Sequence, residues 1–360
     1  MITALFTVAV IVQCIFTLYF FLRFFSSPAS PPTKANSKGI SVIICAKNEA
    51  ENLAQNLPFV VTQLYNGPFE VIVVNDASTD YTASEAAAAG ARVIDIQESD
   101  TRVLKGKKHA LGVGVVAARY DLLLFTDADC KPASDQWLQL MTAPLTEGKQ
   151  ISVGYGAYAE TTGLLNSFIR WETLHTFIQY STYTKAGLPY MAVGRNLACT
   201  KAIFESAREN ENWNLLPSGD DDMLIRIAAN AQNTAVVGDK SAFTYSAAKS
   251  TWKEWVVQKQ RHLSTGKYYK QHIQMLLGMY SATHALSWIC FVVLLFFSWK
   301  LALALMAFRC LLFWTTFAAA AQSTNEKGMF YFIPLFDFGW MLYNFAFAPY
   351  IFWKNKQHWK

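Results

Sequence analysis

Ile2 to Leu22 carries no charged residue. A run of that length and apolarity crosses a bilayer only as a helix, because lipid offers no partner to an unpaired backbone polar group. Arg23 follows, then Ser-Ser-Pro-Ala-Ser-Pro-Pro, then Lys34 and Lys38. No basic residue precedes the run, and it is longer than the apolar core of a cleaved signal peptide, so 1–25 reads as an uncleaved anchor. Its basic flank lies on the C-terminal side, which places the residues after it in the cytoplasm. Met275 to Trp299, Leu301 to Ala321 and Met329 to Trp353 form a second apolar block, 275–353, in which each segment is long enough to span. Inside it, Arg309 and Asp337 either pair within protein or snorkel toward an interface. One span plus three would leave Lys354, Lys356 and Lys360 outside, against the positive-inside rule. Either one C-terminal segment is re-entrant or interfacial, or the rule fails here. The expectation is a multi-pass protein of the cell (inner) membrane with its polar region, residues 39–270, in the cytoplasm.

Composition agrees, since 52% of the residues are hydrophobic and the formal net charge is +5. The clearest basic stretch, Lys253 to Lys270, is interleaved with Trp252, Trp255, Tyr268 and Tyr269. That pattern suits a surface lying on anionic lipid. Membrane segments on both sides of the polar region argue against nucleic acid as the partner. Cys14, Cys45, Cys130, Cys199, Cys290 and Cys310 show no paired spacing, so neither a disulfide framework nor a zinc site is expected.

Between the apolar ends the periodicity changes. Ser41 to Cys45, Glu70 to Val74, Arg92 to Ile96 and Leu122 to Phe125 are short β-branched or apolar runs, and helix-spaced segments separate them. Strands alternating with helices predict an α/β fold with a parallel sheet covered on both faces. No G-x-G-x-x-G and no Walker loop is present, which disfavours dinucleotide and P-loop enzymes. Beyond residue 150 the alternation lapses. Gly154 to Tyr158 reads as a strand, Leu164 to Tyr183 as a long aromatic helix, and Gly194 to Ala198 as a turn entering a strand.

The polar residues cluster at strand ends, which in a parallel sheet share one rim. Asp127-Ala-Asp129 follows the Leu122 strand, and two carboxylates one residue apart on a turn can hold one small hard cation, Mg2+ or Mn2+. Asn48-Glu49 and Asp76 fall at the ends of the first two strands, while Lys107 opens a helix where it could meet a phosphate. Asp76 equally suits a helix cap, and Lys107 a solvated surface. Gly219-Asp220-Asp221-Asp222 opens another helix, where three adjacent carboxylates either dress the helix dipole or raise one pKa to suit a general base.

Taken in order, Ser41-Val-Ile-Ile-Cys-Ala-Lys-Asn-Glu49, Val73-Val-Asn-Asp76-Ala-Ser-Thr-Asp80, Gly106-Lys107, Thr126-Asp127-Ala-Asp129, Gly194-Arg-Asn196 and Gly219-Asp-Asp-Asp222 resemble the inverting glycosyltransferases of family 2. The resemblance covers roughly 39–270. It implies a GT-A catalytic domain, with interfacial helices at about 164–183 and 250–272. It also identifies Gln258-Lys-Gln-Arg261-His262 with the Gln-x-x-Arg-Trp motif of ceramide glucosyltransferases and polysaccharide synthases, His262 standing where tryptophan is usual. Carried over, Asp76 and Glu49 would hold the nucleoside of a UDP- or GDP-sugar, and Asp129 with Asp127 the divalent metal. Asp221, beside Asp220, would be the base, and Arg261 would act on the diphosphate or the acceptor. Lys107, Asn196 and Gln258 would line the substrates. The implied reaction is transfer to a lipid or lipid-linked acceptor. A processive polysaccharide synthase and a non-catalytic membrane scaffold are the alternatives.

Overall fold

The computed structural model describes residues 1–26, 37–97, 106–215 and 219–352. Lys34, Ser218, Trp353, Lys354, Lys356 and Lys360 lie outside them. Two compact units emerge. One takes Ser27–Ala159 and Gly187–Ala248, the other Met1–Ser26, Glu160–Ala186 and Lys249–Asn355.

The first unit is built on ten strands: β1 (Ile40–Ala46), β2 (Phe69–Asp76), β3 (Arg92–Ile96), β4 (Leu122–Asp127), β5 (Cys130–Pro132), β6 (Ile151–Val153), β7 (Gly156–Tyr158), β8 (Leu197–Thr200), β9 (Thr234–Val236) and β10 (Thr244–Ser246). Seven form one sheet in the order β3-β2-β1-β4-β8-β6-β9. The first four are parallel, and β8 runs antiparallel to both β4 and β6. The result is a mixed, mostly parallel α/β sheet. All of β1 is buried, as expected for a central strand covered on both faces. Alternation assigns its side chains. Val42 and Ile44 join Leu53, Leu57, Trp137 and Met141 in the core on one face. Ile43 faces the other way, against the helix Lys107–Ala117, and a Cβ at Gly114 would collide with Ile43 and Val74. Glycine there lets helix and sheet close up. The remaining strands form a small sheet, β5-β10-β7, that places Cys130, Ser246 and Tyr158 in one row.

The second unit is helical. Among the described residues, Ile2–Phe25, Gln271–Leu294 and Trp299–Ser323 are long and apolar enough to cross a membrane. The last apolar segment of the C-terminal block is not among them. Ile333–Phe347 is a helix of 15 residues between two 3-10 turns. At ~1.5 Å per residue it reaches about 22 Å, short of a ~30 Å hydrocarbon core. Pro334 starts it, and Pro349 disfavours helix at the residue before it. Arg309 and Asp337 do not snorkel; they form a buried ion pair. His284 Nε2 lies 2.9 Å from Asp337 Oδ1, and Trp314 donates to Oδ2 at 3.0 Å. Arg309 also donates to Gln13 on the N-terminal helix at 3.3 Å.

Candidate active site

β1, β2 and β4 are parallel neighbours, so their C-terminal ends open on one edge. The chain leaves β1 through Asn48 at φ 55°, a left-handed conformation that asparagine tolerates. Asn48 Oδ1 accepts from the Thr79 backbone N–H at 2.8 Å, and its own N–H donates to Ser78 Oγ at 2.9 Å. The Glu49 N–H donates to Thr82 Oγ1 at 2.8 Å and the Ala50 N–H to Asp80 Oδ2 at 3.1 Å. These bonds lace the loop after β1 to the loop after β2, where Asp76 ends its strand almost fully buried.

Glu49 accepts from Asn52 Nδ2 at 2.5 Å. Burial raises its carboxyl, the Asn52 bond opposes that, and the charges of Asp129 and Asp127 add to the rise. Asp127, Asp129 and Cys130 each offer a ligand atom within 4.8 Å of the others. Loss of water and then the Asp127 charge push the Asp129 carboxyl up. Burial keeps the Cys130 thiol protonated, and it bonds Asp129 Oδ1 at 3.4 Å. The donor set is therefore two hard oxygens from neighbouring carboxylates, which fits Mg2+ or Mn2+. Lys107 ion-pairs with Asp127 Oδ1. Burial would lower its ammonium, but Asp127 and then Asp220 more than offset this and hold it charged.

Gly219, at φ 83°, turns the chain into the helix Asp220–Ala228. Asp221 is caught between two backbone donors: Oδ2 accepts from the Gly194 N–H at 2.7 Å and Oδ1 from the Asp222 N–H at 2.9 Å. Burial and then the Asp220 charge push its carboxyl up to about 6. Leu111, Phe125, Leu197, Phe204 and Leu224 line a small pocket with Asp220 and Asp221. This apolar wall accounts for the loss of water around Asp221.

Asn196 does not line the crevice. It is fully buried, donates to the carbonyls of Tyr155 (2.9 Å) and Ala242 (2.8 Å), and accepts from Trp137 Nε1 at 2.9 Å. Its amide is spent on the core and buried, so it positions the Gly194–Asn196 turn. The residue beside it, Arg195, was missed. Its carbonyl accepts from Thr126 and Thr244 hydroxyls, each at 3.1 Å. Its guanidinium lies 4.3 Å over the Tyr158 ring, donates to the Gly156 carbonyl and feels the charge of Asp129. Only the glycine before it and the asparagine after it hinted at such a role. Gln258 and Arg261 fall in the other compact unit, on the helix Trp252–Leu263. There the Lys259–Glu172 ion pair and Trp255, 5.5 Å from Phe168, hold that helix in place.

Residues 41–203 match the family profile described as glycosyl transferase family 2. Over those residues the chain is similar to the family 2 glycosyltransferases. The domain has the GT-A fold: the mannosyltransferase PcManGT of Pyrobaculum calidifontis, solved with GDP-Man and Mn2+, superposes over 96% of this chain and 99% of its own at a TM-score of 0.55 and 17% identity. The 4,4'-diaponeurosporenoate glycosyltransferase of Staphylococcus aureus is 38% identical over 94 residues, 26% of this chain and 24% of that relative. The matched part of the chain thus spans about a quarter of the length of the curated relatives it resembles.

Proposed function

We propose that this protein is a metal-dependent, inverting glycosyltransferase that moves a sugar from a nucleotide-diphosphate donor to a lipid or lipid-linked acceptor at the membrane surface. The observation that carries the reading is Asp221, a carboxylate fixed by two backbone N–H groups and tuned to about 6, in the same unit as the Asp127–Asp129 pair. A general base near its operating pH suits deprotonation of an acceptor hydroxyl. Asp76, with Glu49 nearby, would hold the nucleoside, and Asp127 and Asp129 would hold Mn2+ or Mg2+. That ion would neutralise charge on the leaving diphosphate. Asp221 would take the acceptor proton as the hydroxyl attacks the anomeric carbon from the face opposite the diphosphate, which inverts the configuration. The Pyrobaculum calidifontis neighbour was solved with GDP-Man and Mn2+, which supports a nucleotide-sugar donor and a divalent metal here.

The acceptor assignment rests on three apolar helices in the same chain. Three spans would put the proposed catalytic unit and the chain after the last span on the same, cytoplasmic side, in keeping with the positive-inside rule. The test is release of nucleoside diphosphate from a panel of UDP- and GDP-sugars by detergent-purified protein with added membrane lipid, with Mn2+, Mg2+ or chelator. Metal-dependent turnover with one donor and a labelled lipid product of inverted anomeric configuration is expected. No turnover with any donor, or a long polymer as product, would sink this reading.

A further inference from the structure

Lys107 has two claims on it. It is the first residue of the helix Lys107–Ala117, and its ammonium pairs with Asp127 Oδ1. Yet Asp127 is also one of the groups placed to share a cation. One carboxylate oxygen cannot serve an ammonium and a divalent ion at full strength, because the two cations repel at close range. A diphosphate offers an ammonium charged oxygens at least as good as those of Asp127. The pair is also not locked in. The side chains keep 27% and 34% of their exposure, and Gly106, at φ 94°, lies just before the lysine.

We propose that Lys107 is a place-holding cation, which neutralises Asp127 until a donor diphosphate draws it away, so that divalent ion and donor enter together. The proposal rests on the metal-dependent reading above. An ion arriving alone competes with a tethered ammonium. A donor arriving alone meets a lysine already engaged. When both arrive, one ion pair is exchanged for two, Lys107 with phosphate and Asp127 with metal, and no covalent bond changes. Lys107 thereby gains a role at both the metal and the donor, and the order of assembly is set by one side chain.

The test needs no turnover. Mn2+ is titrated into the full chain in detergent without nucleotide, with UDP and with GDP, and free aquo-Mn2+ is read by electron paramagnetic resonance. Wild type is expected to bind Mn2+ about ten-fold more tightly with one nucleotide than with none, within the usual range of coupling between two ligands. Lys107→Met should bind Mn2+ without nucleotide about ten-fold more tightly than wild type, and nucleotide should then add little. Lys107→Arg, which keeps the charge, should remain as weak as wild type. Lys107→Gln supplies the same comparison if the methionine variant fails to fold. Nucleotide-free affinity that is unchanged or weaker in the uncharged variants overturns the proposal. Loss of Mn2+ binding in Asp129→Asn, measured alongside, would show that the metal site survives that failure. Absence of Mn2+ binding to wild type under every condition overturns both the proposal and the metal-dependent reading.

Discussion

Asp221 shows how little of a residue's chemistry lies in its own side chain. Asp220, Asp221 and Asp222 are consecutive, yet the Gly194 N–H holds only Asp221. Its carboxyl is pushed up to about 6, so as the proposed base it would be protonated below that pH and able to accept a proton above it. The turnover rate should therefore rise with pH through about 6 and then level off. Asp221→Asn should lower kcat by about 10²–10⁴-fold and remove that limb, as a pH–rate profile would reveal. Gly194→Ala is a subtler probe. A Cβ there would sit 3.3 Å from Asp221 Oδ2 and displace the base while leaving the donor residues alone. The expected result is a fall in kcat with a nearly unchanged donor KM. Asn196→Ala should act instead through stability, because it strands the Trp137 N–H and two carbonyls. A loss of about 1–3 kcal/mol is expected from thermal melting, and a normal melt with a raised donor KM would count against this assignment.

At the scale of elements, the rim works because parallel strands end on the same edge. Residues far apart in sequence, Asp76 and Asp127, end neighbouring strands on either side of β1. The helical unit follows a different rule, since its packing is pinned by buried charge. Arg309, Asp337, His284 and Gln13 join four helices through one carboxylate and one guanidinium. Breaking that pair leaves an uncompensated buried charge. Asp337→Leu or Arg309→Met alone should cost about 3–5 kcal/mol of stability in detergent, while the double variant should recover most of it. Equal losses in the single and double variants would show that the pair contributes little.

For the whole molecule, the proposed topology of three spans would agree with the charge rule. If the catalytic unit and the C-terminus share the cytoplasmic side, reporters fused after the N-terminal helix and at the C-terminus should give the same cytoplasmic signal. Opposite signals would mean that Ile333–Phe347 crosses after all. The two compact units also divide the proposed site residues. Glu49, Asp76, Lys107, Asp127, Asp129 and Asp221 belong to one, Gln258 and Arg261 to the other. Arg261→Ala tests whether the second unit serves the same reaction. A fall in kcat/KM with Mn2+ binding unchanged is expected, and wild-type turnover would remove Arg261 from the machinery.

What was legible in the sequence was what is written locally. Apolar runs with period 2 or 3.6 mark strands and helices, and β1, β2 and β4 begin and end within a residue or two of where that pattern places them. The carboxylates at strand ends were legible for the same reason, since parallel topology fixes where such ends must meet. Tertiary structure decided what depends on which groups become neighbours. It turned Asn196 inward, because the core around Trp137 had three hydrogen bonds to satisfy, and laid the Arg195 guanidinium over the Tyr158 ring. It confined the last α-helix to Ile333–Phe347, between two 3-10 turns, with Pro334 at its start and Pro349 just beyond its end. And it set Lys107 against Asp127, a pairing across 20 residues of chain that exists only because a helix start and a strand end share one rim.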